Sequence, residues 1–172
     1  EQGNYDEIRY EGYAPGGIAI IVDCLTDNRN RTASEVRHAF TKHGGNLGTD
    51  GSVSYMFQKR GVISFSPNTS EEQIMEIALE VGVDDLILND DKSIDLFTKP
   101  EDLQVIKDGF IKSGQEPENA EISFEPDTLS KVNKDEAEKV LRMIDHLEDL
   151  DDVQEVYTNI DIPEEVMVEL EA

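Results

Sequence analysis

The sequence predicts an α+β chain with a two-domain body, in which a ferredoxin-like β-α-β-β-α-β domain is inserted into a discontinuous α/β sandwich domain. Three observations carry that expectation. Apolar residues switch between period-two and helical spacing along the chain. The elements between Val62 and Glu125 follow the split-βαβ order. The first 62 residues offer only three strands and one helix, too few to cover a sheet, and the last segment offers the missing helix and strand.

In chain order, Tyr5 to Tyr13 alternates weakly and reads as a half-exposed strand, closed by the turn Ala14-Pro15-Gly16-Gly17. Ile18 to Leu25 is apolar on both faces, as a central strand must be. Thr32-Ala33-Ser34-Glu35 has capping-box form and opens a helix with Ala33, Val36 and Phe40 on one face. Gly44 stops it. Val53, Tyr55 and Phe57 make a strand, which Gly61 separates from Val62 to Phe65. Ser70 to Gln73 is a second capping box, followed by Ile74, Ile77, Ala78 and Val81 at helical spacing and a stop at Gly82. Leu86–Leu88 and Ile94–Phe97 read as a hairpin across a polar turn. Thr98 and Glu101 cap a third helix with Pro100 in its first turn. Its stripe is Leu103, Ile106 and Phe110, and Gly114 closes it. Ile122 and Phe124 mark a further strand. A fourth helix runs from about Asp135 to Leu150, capped by Asn133, with Ala137, Val140, Leu141, Ile144 and Leu147 inward. Val153 to Thr158 is a strand. The resulting domains are 1–62 plus 127–160, and 63–126 inserted, with 161–172 as a tail; two contiguous domains are the alternative.

The 172 residues carry a net charge of -24, which by itself disfavours coating a nucleic acid or an anionic membrane. The charge is uneven: residues 1–62 are net -1, residues 63–126 net -12 and residues 127–172 net -11. One stretch is locally basic, with Arg29, Arg31, Arg37, Lys42, Lys59 and Arg60 against only Glu35 and Asp50. The longest apolar run, Ile18 to Val22, is too short to span a bilayer. The single cysteine, Cys24, excludes an internal disulfide framework and fits a reducing, cytoplasmic compartment.

Catalytic chemistry is thinly signalled. Gly44 to Gly48 is glycine-rich but follows a helix, so it lacks the amide donors with which a helix N-terminus cradles phosphate. His38 and His43 are five apart, off the spacing that places two imidazoles on one helix face. Cys24 reads as a small buried side chain. Asp149, Asp151 and Asp152 read as solvated helix-end charges, since the EF-hand glycine and terminal glutamate are absent. No metal, cofactor or catalytic residue is expected. The segment Asp27 to Thr32 is the binding candidate. Arg29 and Arg31 offer planar forks for phosphate or base edges, and Asn28 and Asn30 offer amides. Equally, the Asn and Asp residues shape a turn and the arginines pair with local carboxylates. Arg37, Lys42, Lys59 and Arg60 would add electrostatic support. Tyr10 and Tyr13 either stack on bases or pack the turn.

The strings Tyr10 to Gly17, Asp27 to Thr32, Gly44 to Gly48 and Gly51-Ser52-Val53, with Leu147 to Tyr157, together closely resemble the YebC/PmpR family over nearly the whole chain. The resemblance implies a three-domain family fold with a ferredoxin-like domain inserted in the middle domain. It also implies a cytoplasmic, non-catalytic role in gene expression, as a transcriptional regulator that binds DNA or a ribosome-associated translation factor that eases stalling. Members usually begin with a basic helical domain, and the expectation from this sequence is that it is absent here and would help binding. The alternative expectation is an acidic module that contacts basic ribosomal or transcription proteins without touching nucleic acid.

Overall fold

A computed structural model describes residues 4–171, and the opening residues 1–3 of the expected arrangement lie outside it. The chain forms two compact units, 1–58 with 126–172, and 59–125. The first is built on a four-stranded antiparallel sheet of β1 (Asp6–Ala14), β2 (Ile18–Thr26), β3 (Asn46–Leu47) and β9 (Val153–Thr158), in the order β3-β1-β2-β9. The hairpin register sets Tyr10 opposite Val22 and Gly12 opposite Ile20, so even-numbered residues share one face. That face holds Ala14, Ile18, Ile20, Val22 and Cys24, under the buried stripes of α1 (Arg29–Lys42) and α4 (Lys134–Asp149). Ala19 and Ile21, on the other face, are also fully buried. β2 is thus the two-sided strand its composition demands. β9 pairs with it across a bulge at Asp23/Cys24. A short parallel pair, β8 (Ser130–Lys131) with β10 (Ile160–Asp161), and α5 (Glu164–Glu171) complete the unit.

The second unit follows the connectivity β4 (Phe57–Phe65), α2 (Glu71–Val81), β5 (Asp85–Leu88), β6 (Ile94–Thr98), α3 (Leu103–Lys112) and β7 (Asn119–Pro126), with sheet order β5-β6-β4-β7. This is the ferredoxin-like arrangement. Ile63, Phe65, Ile94 and Leu96 form a core with Ile74, Ile77, Ala78, Ile106 and Phe110. Each fully buried aliphatic or aromatic residue contributes about 1.5–3 kcal/mol. Among the described residues no helix is long and apolar enough to cross a membrane.

Five local readings are corrected. α1 begins four residues early, with Asn28 as its cap, because Thr32 is recruited elsewhere. Val53 and Tyr55 are not in a strand: Ser54–Met56 is a 3-10 turn and β4 starts at Phe57. Gly61 does not divide two strands but lies inside β4, where a side chain would collide with the Thr98 hydroxyl and the Leu103 side chain. In α4, Leu141 is 37% exposed and Met143 fills the core instead. Gly44 to Gly48, read as a shaped loop, contains the edge strand β3.

Candidate nucleic-acid interface

At the N-terminal end of α1, β2 runs out at Thr26 and the chain turns on Asn28. Its extended backbone and side-chain oxygen, accepting from Arg31 N–H at 3.1 Å, start the helix. Four of the predicted site residues therefore sit on this cap and first turn. Asn28 is consumed as the cap. Arg29 Nε donates to Asp6 at 3.0 Å. Arg31 donates to both oxygens of Asp152, 3.2 Å from Nε and 3.0 Å from Nη2, and to Asp27 at 3.1 Å. Asn30 is exposed.

Asp152 is the surprise of this end. It is not a solvated charge like its exposed neighbours Asp149 and Asp151; it is buried. The Thr32 hydroxyl donates to it at 2.7 Å, and the Thr26 hydroxyl lies at 3.3 Å. Burial pushes its carboxyl up, but Thr32, Arg31 and Thr26 outweigh burial and hold it below the ordinary value. Thr32 is thus spent on a carboxylate 120 residues away and does not cap the helix.

The C-terminal end is built differently. α1 ends at Lys42 and His43, and Gly44 turns the chain at φ +84°. Gly45 then passes so close to the Tyr13 carbonyl and the Met143 methyl that no side chain fits. This close approach brings the end of α1 against the β1–β2 turn and α4. Between them opens a surface cavity of about 440 Å³, lined by Pro15, Lys42, His43, Gly44, Lys139 and Arg142. Lys139 is paired with Asp135 at 3.3 Å, both side chains being largely exposed. Lys42 and Arg142 are exposed and have no ion pair among the described residues.

His43 Nε2 lies 3.0 Å from His146 Nδ1, and His38 packs edge-on against His146 with ring centres 5.9 Å apart. Burial lowers the basicity of His43 and His146. For His43, His146, Lys42, Arg142 and His38 lower it further. For His146, Lys42 and His38 do the same, and Asp149 opposes them. Sequence spacing along α1 alone could not reveal this cluster. Lys139, Arg142 and His146 do repeat at i, i+3 and i+7 of α4, and that stripe was the available signal.

The two tyrosines read as possible base platforms are structural: Tyr10 packs on the first core and the Tyr13 hydroxyl lies 3.4 Å from the Ser52 carbonyl. Next to them, the buried Glu11 carboxylate accepts from the N–H groups of Gly51, Val53 and Ser54 at 2.9, 3.0 and 2.7 Å. Burial raises its pKa, and these three bonds bring it below the ordinary value. Cys24 is buried and its thiol is pushed up to about 12, mainly by that burial, so it is not a reactive nucleophile. Arg37 is exposed on α1. Lys59 and Arg60 belong to the second unit, where the Arg60 guanidinium lies 5.8 Å from the centre of the Phe97 ring.

The family profile described as the TACO1/YebC second and third domain matches residues 5–160. A "Probable transcriptional regulatory protein" of Francisella tularensis subsp. mediasiatica is 56% identical over 170 residues, covering 99% of this chain and 68% of the relative. A protein of the same name from Francisella philomiragia is 55% identical with the same coverage. The crystal structure of a conserved hypothetical protein from Aquifex aeolicus superposes with a TM-score of 0.80 at 46% identity, over 95% of this chain and 68% of that one.

Proposed function

The chain belongs to the TACO1/YebC family, and from that premise we propose that it is a non-catalytic regulator of gene expression acting in the cytoplasm through nucleic acid, either DNA or the RNA of a ribosome. The observation that carries this reading is the match to the family's second and third domains across residues 5–160, in a chain whose relatives are named probable transcriptional regulatory proteins. Physical support comes from α1. On a body of net charge -24, this one helix gathers Arg29, Arg31, Arg37 and Lys42. Cations of this kind displace the counterions condensed on a phosphate backbone.

The proposed contact set is Asn28, Arg29, Asn30 and Arg31, with Arg37, Lys42, Lys59 and Arg60 in support. Within it, Arg37, Lys42 and Lys59 are exposed and outside every ion pair among the described residues, so they are the members most available to a ligand. A second reading is favoured by the acidity of the inserted segment, net -12 over 63–126: a module that docks basic ribosomal or transcription proteins directly.

Co-sedimentation with ribosomes and a duplex-DNA gel shift, each at low and physiological salt, test the proposal. A full-length relative is run beside the chain, because the chain spans 68% of that length. Salt-sensitive binding that nuclease treatment abolishes is the expected result. Binding that survives nuclease moves the function to the protein-docking reading.

A further inference from the structure

We propose that the cavity at the C-terminal end of α1 is a seat for a backbone phosphate of a nucleic acid strand, with Lys42 and Arg142 as its direct contacts. This deepens the nucleic-acid reading above and rests on it, but it moves the contact to the opposite end of the helix from the one the sequence favoured. Lys42 and Arg142 come from two different helices and line one cavity. His43 and Lys139 line it too, and among the described residues no acidic one does. On a chain with 39 acidic and 15 basic residues, a cavity with only cationic and neutral lining is a local inversion of charge.

Fold stability accounts for only part of it. Lys42 complements the negative end of the α1 dipole. Arg142 has no such role, because it sits within α4 and not at its end. Two exposed cations that line one cavity and have no ion pair among the described residues repel one another, and an anion between them relieves that repulsion. A guanidinium fork beside an ammonium suits a tetrahedral oxyanion with several acceptor oxygens. The cavity is far larger than one phosphate and lies at the surface, as a site that a continuous strand enters and leaves must be. His38 and His146 extend the same surface beyond it with aromatic edges and ring nitrogens.

The test uses the 172-residue chain, with a labelled single-stranded RNA, a labelled duplex DNA and inorganic phosphate as probes. Fluorescence anisotropy is read across a potassium chloride series. The variant Lys42→Gln plus Arg142→Gln changes only exposed, unpaired side chains, and circular dichroism checks that it folds. It is expected to lose about tenfold or more in affinity for at least one nucleic acid and to flatten the salt slope by about one to two. The variant Arg29→Ala plus Arg31→Ala, also in the contact set, is expected to weaken binding by a smaller factor, because its guanidiniums already donate to Asp6, Asp27 and Asp152. Histidine proton resonances should shift on titration with the nucleic acid and shift less in the Gln variant.

Wild-type affinity in the Gln variant, with loss in the Arg29/Arg31 variant, overturns this proposal and leaves the nucleic-acid function standing. Binding of neither nucleic acid at low salt overturns both. Histidine shifts with inorganic phosphate but with neither nucleic acid reassign the cavity to a free anion and overturn the strand proposal.

Discussion

The two ends of α1 are both basic, but their charges are spent in opposite ways. At the N-terminal end, each arginine already has a carboxylate: Asp6 for Arg29, and Asp27 and Asp152 for Arg31. At the C-terminal end, Lys42 and Arg142 line a cavity and have no carboxylate partner among the described residues. The difference teaches that a run of arginines in a sequence measures charge, while the structure decides how much of it is left over. A guanidinium held by two carboxylates gives up existing bonds to take a ligand; an unpaired one has only water to give up.

The largest effect expected from breaking this comparison is at Asp152. Asp152→Ala removes the 2.7 Å acceptor of the Thr32 hydroxyl, leaves the Thr26 and Thr32 hydroxyls only the Asn28 carbonyl, and frees Arg31 from its buried partner, so it should lower stability by about 1–3 kcal/mol, on the order of 10 °C in the melting midpoint. Calorimetry checks it. In the wild type, the Asp152 carboxyl is depressed, so its contribution is complete above the ordinary value of 3.8 and is lost as the pH falls through the depressed value. An acid-unfolding series should lose that component in the variant.

Next in size is Gly45→Ala, which forces the Tyr13 carbonyl and the Met143 methyl apart. It should cost about 1–2 kcal/mol in urea unfolding and loosen the cavity end, leaving the Arg31–Asp152 contacts intact. A smaller effect is expected at Arg29. Its pair with Asp6 has side chains 64% and 51% exposed, so Arg29→Ala should change stability by less than about 0.5 kcal/mol. A loss several times larger would show that the N-terminal end is locked through Arg29 as well as Arg31.

The smallest expected effect is a pH slope. His43 and His146 are both depressed from 6.5, so the unfolded chain takes up protons before the folded one does. Their contribution is present above pH 6.5 and fades as the pH falls through the depressed values. Thermal midpoints measured from pH 7.5 downward should show this slope, and His146→Gln should reduce it.

Much of the fold was legible because the signals were local. Asn133 caps α4 with Glu136 reaching back, as its position before an apolar stripe suggests. Ser70 accepts from Gln73 N–H at the head of α2, and Asn89 to Ser93 does turn the hairpin. The start of α1 was misread because two cap patterns compete within five residues. Thr32-x-x-Glu35 looked complete, but the Thr32 hydroxyl answers to a carboxylate in another part of the chain. The candidate site failed to read for the same reason. His43 meets His146 across 103 residues, and Arg31 meets Asp152 across 121. Spacing on one helix carries no information about the helix that will lie beside it.

The clamp on Arg31 also has a consequence for the order of events during synthesis. Asp152 emerges 121 residues after Arg31, a delay on the order of ten seconds at usual elongation rates. Until then β2 lacks β9, and Ala19 lacks the Asn159 side chain that accepts its N–H at 2.9 Å. The contiguous unit 59–125 has all its strands before then and can be complete on the nascent chain. β1, β2 and α1 therefore wait for the segment from Asp152 to Asn159, and a truncation before Asp152 would leave those three elements the least finished.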